Sequence, residues 1–389
     1  MKPPPADVIV VGLGAMGSAS LYQLARRGAR VIGIDRFHPP HDQGSSHGES
    51  RITRQAIGEG EEYVPFVLRS HEIWRELEAE TGEALLFQVG GLLLSRESGG
   101  ARHHGQGDFV GRSIAAAKRF GIAHEVLRAP EIQQRFPPFR LAGDEIGYYE
   151  PGAGYVRPER CVAAQLDRAR ALGADMRTGE VVLRIEPHAA DVEVVTDRER
   201  YSAARVIVTA GAWAPALLGG EFAKLLSVYR QVLYWFAPDA PAAFASGVFP
   251  IFIWIHGAAP TDHFYGFPLV SEGVKLAREQ FAETTDPDHV SHEVSPPEIA
   301  DMYATHIRGR LSGITDRCVR AETCLYTATP DSRFVIDRHP DSDRIIVASP
   351  CSGHGFKHSP AIGEALADLA LTGKSRLDLT PFSLARFSA

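Results

Sequence analysis

The sequence predicts an α/β protein in which a doubly wound parallel sheet carries an inserted, mainly antiparallel sheet. Three observations predict it. A strand–turn–helix–strand unit runs from Asp7 to Asp35. Between Ser227 and about Gly313 the pattern changes to alternating, aromatic-rich runs, the mark of antiparallel strands. After Phe334 the chain returns to apolar strands and a glycine-led helix.

The opening unit is the most informative. Asp7-Val8-Ile9-Val10-Val11 reads as a buried parallel strand because its apolar residues are consecutive and β-branched. The strand breaks at Gly12, and a helix restarts at Ala15 and runs to a C-cap at Gly28. A second strand, Val31–Ile34, ends in Asp35. In Gly12-Leu13-Gly14-Ala15-Met16-Gly17, Gly12 makes the turn, Gly14 admits a pyrophosphate and Gly17 lets helix and strand pack closely. The helix N-terminus offers N–H groups and positive dipole to phosphate. Asp35 stands where a carboxylate accepts from ribose hydroxyls. The motif marks a dinucleotide site without separating NAD from FAD, and the Asp35 carboxylate argues against a 2′-phosphate.

A chain of 389 residues is long enough for two domains or one domain with an insertion. A net charge of −7 and the lack of a basic run argue against a nucleic-acid partner. No apolar stretch reaches membrane-spanning length, and the Met1–Ala6 lead-in carries no signal-peptide pattern. Cys161, Cys318, Cys324 and Cys351 lack zinc-type spacing and read as thiols in a reducing, cytoplasmic setting. A metal reading of Cys351, His354 and His358 lacks a fourth ligand, so no metal is expected.

In chain order, residues 36–54 form a long irregular segment of small, polar and basic residues. Segments of this kind wall ligand sites or lie in solvent. Arg51 and Arg54, three apart, share a face if a helix starts near Ser50. Tyr63–Gly82 predicts an amphipathic helix with Trp74 in the core, and Phe87–Ser95 a strand interrupted by Gly90-Gly91. The turn-rich run Gly99–Gly107 places His103 and His104 in solvent. Helices are expected over Ser113–Phe120, Ala129–Arg135 and Pro158–Leu172, and strands over Val181–Glu186, Asp191–Thr196 and Val206–Thr209. The small-residue turn after Thr209 falls at the ligand-binding edge of a doubly wound sheet. The antiparallel runs are Val232–Phe236, Phe249–Ile255 and His263–Phe267. Strands Phe334–Asp337 and Arg344–Ala348 then lead to Gly353–Lys357 and a helix over Pro360–Leu371.

Several ordered segments together resemble the monomeric sarcosine oxidase / N-methyltryptophan oxidase family of covalent flavoproteins. They are Gly12–Gly17, Gly44-Ser45-Ser46-His47-Gly48-Glu49-Ser50-Arg51-Ile52-Thr53-Arg54, Cys324-Leu325-Tyr326-Thr327, Ser352-Gly353-His354-Gly355-Phe356-Lys357 and Asp378-Leu379-Thr380-Pro381-Phe382. The resemblance implies a Rossmann-like, glutathione-reductase-type FAD-binding domain (1–90, 150–225, 320–389) and an inserted substrate domain (91–149, 226–319). It implies FAD bound covalently through Cys324 to the flavin 8-methyl carbon. The cofactor contacts it implies are Gly12, Gly14, Ala15, Met16, Gly17, Asp35, Arg36, Ser45, Ser46, Arg51, Val181, Ala210, Gly211, Trp213, Gly353, Gly355, Phe356 and Lys357.

The reaction implied is oxidation of a secondary amino acid by hydride transfer to flavin N5. The imine is then hydrolysed and oxygen reduced to hydrogen peroxide. Arg54 and Lys357 match the family's carboxylate clamp, Lys275 its oxygen-activating lysine, and Arg51 and His47 residues beside the flavin. Tyr265 matches a substrate-pocket tyrosine, and Tyr326, two past Cys324, is expected to line the same cavity. Glu279 departs from the sarcosine-specific pattern, which has histidine there, and Ser46 replaces a second histidine. The alternatives are a flavin dehydrogenase with another acceptor and an oxidase of pipecolate or glycated amino acids. The partners expected are a small amino acid and oxygen, with a monomeric chain, no nucleic acid and no membrane.

Overall fold

The computed structural model describes residues 6–96, 102–104 and 106–387. The apolar run at the start is the centre of an eight-stranded sheet. Ala6–Val11 lies parallel between Val31–Asp35 and Arg200–Val208. Asp175–Thr178 extends the parallel set on one side and Ser342–Ser349 on the other. Val192–Thr196, Val182–Pro187 and Val335–His339 add antiparallel edges. Ile9, Val10, Ile207 and Ile346 are fully buried, as strands covered on both faces require.

The helix Ala15–Arg26 follows the first strand and packs on the C-terminal helix Ser359–Thr372. Gly363 permits that approach, because a Cβ there would lie 2.5 Å from Ala19. Val64–Thr81 is the predicted amphipathic helix, with Trp74 fully buried, and Gly82 ends it in a left-handed conformation (φ 74°). Among the described residues, no helix is long and apolar enough to cross a membrane.

The second large sheet runs in the order Ile314–Ala328, Ser227–Pro238, Val274–Ala277, His263–Leu269, Ile251–Ile255, Gly91–Arg96, Glu145–Glu150 and Glu125–Arg128. Neighbours are antiparallel except Ile251–Ile255 against Gly91–Arg96, which are parallel. The boundary drawn at residue 320 falls inside the Ile314–Ala328 strand. That strand pairs along its length with Ser227–Pro238 and sets Cys324 opposite Gln231 and Tyr326 opposite Tyr229.

Two expectations change. Arg51–Thr53 is a strand, not the start of a helix, and pairs antiparallel with Gly154–Val156. A distant partner supplies the hydrogen bonds, so nothing local could announce it. His104 is not in solvent: its side chain is 4% exposed and faces Glu279. The side chain of His103 lies outside the described residues.

The glycines of the first turn separate by function. A Cβ on Gly17 would lie 1.7 Å from the Gly12 carbonyl, whereas one on Gly14 would meet only Ser46 Oγ at 3.6 Å. Gly17→Ala is therefore expected to cost about 1–3 kcal/mol of stability. Gly14→Ala should leave the melting temperature nearly unchanged while impairing dinucleotide loading. Thermal unfolding and bound-cofactor content on both variants test the distinction.

Candidate active site

Two connected cavities lie where the sheets meet. The larger, about 200 Å³, runs from Asp35 and Arg36 past Gly12, Gly14, Ala15 and Met16. It continues beside Val181, Ala210, Gly211 and Trp213 to Ser45, Ser46, Gly353, Gly355 and Phe356. The smaller, about 60 Å³, shares Arg51, Tyr326, Gly353 and Phe356 with it.

At the outer end, Asp35 accepts the amides of Leu13 (2.7 Å) and Phe37 (2.8 Å). Burial raises its pKa, and these two donors work against the rise. A carboxylate has about four lone-pair sites, so two accepted amides leave capacity for hydroxyls. Arg36 stacks 4.9 Å over the Trp213 ring. Ser46 Oγ accepts the Ala15 amide at 3.2 Å, so the 44–54 loop is tied to the helix N-terminus. Ser45 donates to the Leu325 carbonyl. Gly353 to Phe356 lead into a 3₁₀ turn, Phe356–His358, directly ahead of the Ser359–Thr372 helix.

The smaller cavity gathers cations from distant parts of the chain. Lys275 is 2% exposed, and its Nζ donates to the carbonyls of Gly48 (2.6 Å) and Ser50 (2.7 Å). Burial, then the Arg51 guanidinium, push its pKa well below the ordinary lysine value. Arg54 is equally buried, donating to the Ala56 carbonyl (2.7 Å) and to Glu59 (2.7 and 2.5 Å). Lys357 donates to the His354 carbonyl at 2.6 Å, and burial drops its pKa to about 7. Tyr265, Tyr326 and Glu279 complete this wall.

Three lining residues were not among the expected site residues, although His354 was weighed and set aside as a metal ligand. Glu59, His104 and His354 line the same cavity. His104 lies with Nε2 2.7 Å from Glu279 and Nδ1 3.5 Å from Glu59. Burial opposes its charge, but the two carboxylates outweigh that and lift its pKa to about 9. Burial likewise disfavours the charge of Glu59, which Arg54 and His104 nevertheless hold well below the usual carboxyl range.

Two expected site residues stand back from the cavities. His47 is buried with Nδ1 3.7 Å from Glu322 and lines neither space. Cys324 is 3% exposed in an apolar cluster with Leu233, Trp235, Ala277 and Tyr326, and it too is outside both linings. Cys351 does line the larger cavity.

Residues 7–369 match the family described as FAD dependent oxidoreductase. A monomeric sarcosine oxidase from Streptomyces avermitilis is 39% identical over 391 residues, 99% of each chain. The chain belongs to this family of FAD-dependent oxidoreductases. An N-methyl-L-tryptophan oxidase from Yersinia pseudotuberculosis is 34% identical, covering 98% of this oxidoreductase and 99% of that one. NikD, an unusual amino acid oxidase essential for nikkomycin biosynthesis, superposes with a TM-score of 0.84 at 25% identity, covering 98% of each chain. An L-proline dehydrogenase from P. horikoshii shares the fold, with a TM-score of 0.82 at 21% identity over 99% and 98% of the chains.

The residues present fit FAD. In this oxidoreductase the larger cavity has the carboxylate of Asp35 at one end, the uncrowded face of Gly14 in its middle and the cationic cavity at the other end.

Lys357 sets a pH dependence. Its pKa falls from 10.5 unfolded to about 7 folded, so the unfolded chain binds more protons between those values. The lysine therefore costs stability below about pH 7, and the cost is relieved as pH rises toward 10.5. Lys357→Met should be stabilising relative to the parent near pH 6 and progressively less so by pH 10. Denaturant unfolding across that range is the check, and a pH-independent difference contradicts the assignment.

Proposed function

We propose that the oxidoreductase is an oxidase of a secondary amino acid, N-methyl or cyclic, with FAD held by a thioether to Cys324. The observation that carries the reading is the buried cationic cavity of Arg54, Lys275 and Lys357 opening onto the dinucleotide cavity through Arg51, Tyr326, Gly353 and Phe356. Bound FAD would supply the two-electron acceptor for the carbon next to nitrogen and pass those electrons to oxygen. In this reading 1–90, 150–225 and 320–389 form the FAD-binding domain, and 91–149 and 226–319 the substrate domain. The enzyme is a cytoplasmic monomer, and Cys161, Cys318, Cys324 and Cys351 form no disulfide with one another, as a reducing compartment favours.

The chain's residues divide the work. Arg54 presents a planar fork and Lys357 a point charge, and together they hold the substrate carboxylate. Glu59 keeps Arg54 charged and aimed by accepting from its Nη2. Tyr265 and Tyr326 line the smaller cavity, where they would border the amine-bearing carbon. Lys275, fixed on two carbonyls out of water, provides positive charge for negative charge developing on oxygen. Arg51, donating to the carbonyls of Ser50 (2.9 Å) and Ser45 (2.8 Å), brings a second cation to the boundary between the cavities. His47 acts from behind this wall, through Glu322.

The relatives named for sarcosine and N-methyl-L-tryptophan bracket the substrate class, and Glu279 argues against sarcosine as the best substrate. A dehydrogenase passing electrons elsewhere is the second reading, which the burial of Lys275 beside the cofactor cavity disfavours.

Acid precipitation tests the linkage: the yellow chromophore should stay with the pellet, and Cys324→Ser should release it to the supernatant. Peroxide formation across sarcosine, N-methyl amino acids, pipecolate, proline and glycated amino acids tests the substrate class. Lys275→Met should slow flavin reoxidation far more than flavin reduction in stopped flow. Arg54→Ala should weaken carboxylate inhibitors by about 2–5 kcal/mol, the cost of breaking a buried charge pair.

A further inference from the structure

Residues 278–295 join the strand Val274–Ala277 to the helix Pro296–Met302 and hold no helix or strand of their own. Irregular segments longer than about 12–15 residues are uncommon in compact domains unless they serve a function. This one is pinned to the second sheet along its length. Gln231, buried in the Ser227–Pro238 strand, donates from Nε2 to the Gln280 carbonyl at 2.6 Å and accepts the Gln280 amide at 2.8 Å. The Thr285 amide donates to the Val228 carbonyl at 2.8 Å. Arg230 donates to the carbonyls of Ser291 (2.8 Å) and Glu293 (2.6 Å).

Between these anchors the segment reaches the wall of the dinucleotide cavity, and Asp288 makes the contact. Its Oδ1 accepts the Trp213 indole N–H at 2.7 Å and lies 2.9 Å from Arg36 Nη1. Trp213 and Arg36 both line the larger cavity, at the end where Asp35 lies, and Asp288 stands behind them. Phe37 meets the Trp213 ring edge-on, with centroids 5.3 Å apart, and the guanidinium of Arg36 covers its face. The carboxylate thus fixes the tilt of the indole and the seat of the guanidinium together. Its own aim is set within the loop, because the Asp288 amide donates to Asp286 Oδ1 at 2.9 Å. Val290 packs beside Trp213 in an apolar cluster with Ala212, Val228 and Leu325, which holds the following turn in place.

We propose that Asp288 is a positioning residue of the dinucleotide site, holding Trp213 and Arg36 as a preformed wall for bound FAD. The Asp288 side chain is half exposed, so its ion pair with Arg36 contributes little alone. The indole bond to a charged acceptor is the stronger of the two contacts. Side chains fixed before the ligand arrives lose less freedom on binding, and that is how Asp288 acts on a ligand it does not touch. The role belongs to the FAD site of the family and is independent of which amine the enzyme oxidises.

The experiment is titration of FAD into the full chain freed of flavin, read by flavin fluorescence. A Cys324→Ser background keeps binding reversible whether or not the parent forms a thioether. Asp288→Ala should raise the FAD Kd about 10-fold. It should move the melting temperature of the flavin-free chain by less than about 2 °C. Asp288→Asn keeps an acceptor for the indole and loses the charge facing Arg36, so its loss should be about 3-fold. With Trp213→Phe, which removes the N–H and keeps a ring, Asp288→Ala should cost no more than about 3-fold, because contacting residues couple. Trp74, Trp235 and Trp254 are buried and Trp213 is partly exposed, so acrylamide quenching of the flavin-free chain reads Trp213. Quenching should increase in Asp288→Ala. A Kd within about twofold of the parent in Asp288→Ala, or an equal loss with and without the Trp213 N–H, overturns the role. Unchanged quenching, or a melting temperature lowered by more than about 5 °C, overturns it as well.

Discussion

The structure depends on one buried amine. Lys275 lies in the second sheet, where burial and Arg51 work against its charge and the Gly48 and Ser50 carbonyls, held within 2.7 Å, offset part of that cost. Those carbonyls belong to an irregular loop that would otherwise have many conformations. Gly48 takes φ 88° and Glu49 φ 73°, and a Cβ on Gly48 would lie 2.4 Å from Leu233. The Gly48 and Glu49 amides donate to Glu159 in the helix Pro158–Ala171, and Trp235 donates to Glu49 at 2.9 Å. A single turn of backbone thus couples a strand of one sheet to a helix packed on the other, and the two cavities meet at this joint.

The electrostatics of the smaller cavity follow from the same constraint. Arg51, Arg54, Lys275 and Lys357 bring four cationic groups, and Glu59 and Glu279 bring two carboxylates. His104 absorbs part of the negative charge by lying between both carboxylates. The balance is an excess of positive charge in a space that water barely reaches. Such an excess is costly for the empty protein and favourable once an anion enters. The lowered pKa of Lys357 comes first from burial, with Arg54 adding to it against Glu59 and Glu279.

What the sequence disclosed was local. The first turn, the Val64–Thr81 helix and the apolar strands were legible because propensity, periodicity and glycine geometry act within a few residues. The cations of the smaller cavity were reached through the resemblance, since nothing in Val274-Lys275-Leu276 itself separates a buried lysine from an exposed one. Arg51–Thr53 was misread because its ladder is supplied by residues about a hundred positions away. His104 was misread for a related reason. Its turn-rich neighbourhood describes the backbone correctly, but the side chain's burial is decided by Glu59 and Glu279, which the local pattern does not contain. Glu59 carried no signal at all, sitting in an irregular stretch between a short strand and a helix.

Position 279 shows why a one-residue departure from a family pattern misleads when read alone. A histidine replaced by glutamate in a closed pocket leaves a charge that the interior cannot tolerate unpaired. Here the imidazole reappears on the opposite wall as His104, 2.7 Å from the new carboxylate, with His263 3.6 Å away. A Cβ on Gly353 would come within 2.5 Å of Glu279, so the carboxylate also fills the room beside that turn. Glu279 and His104 therefore set an acid and a base against each other in the smaller cavity.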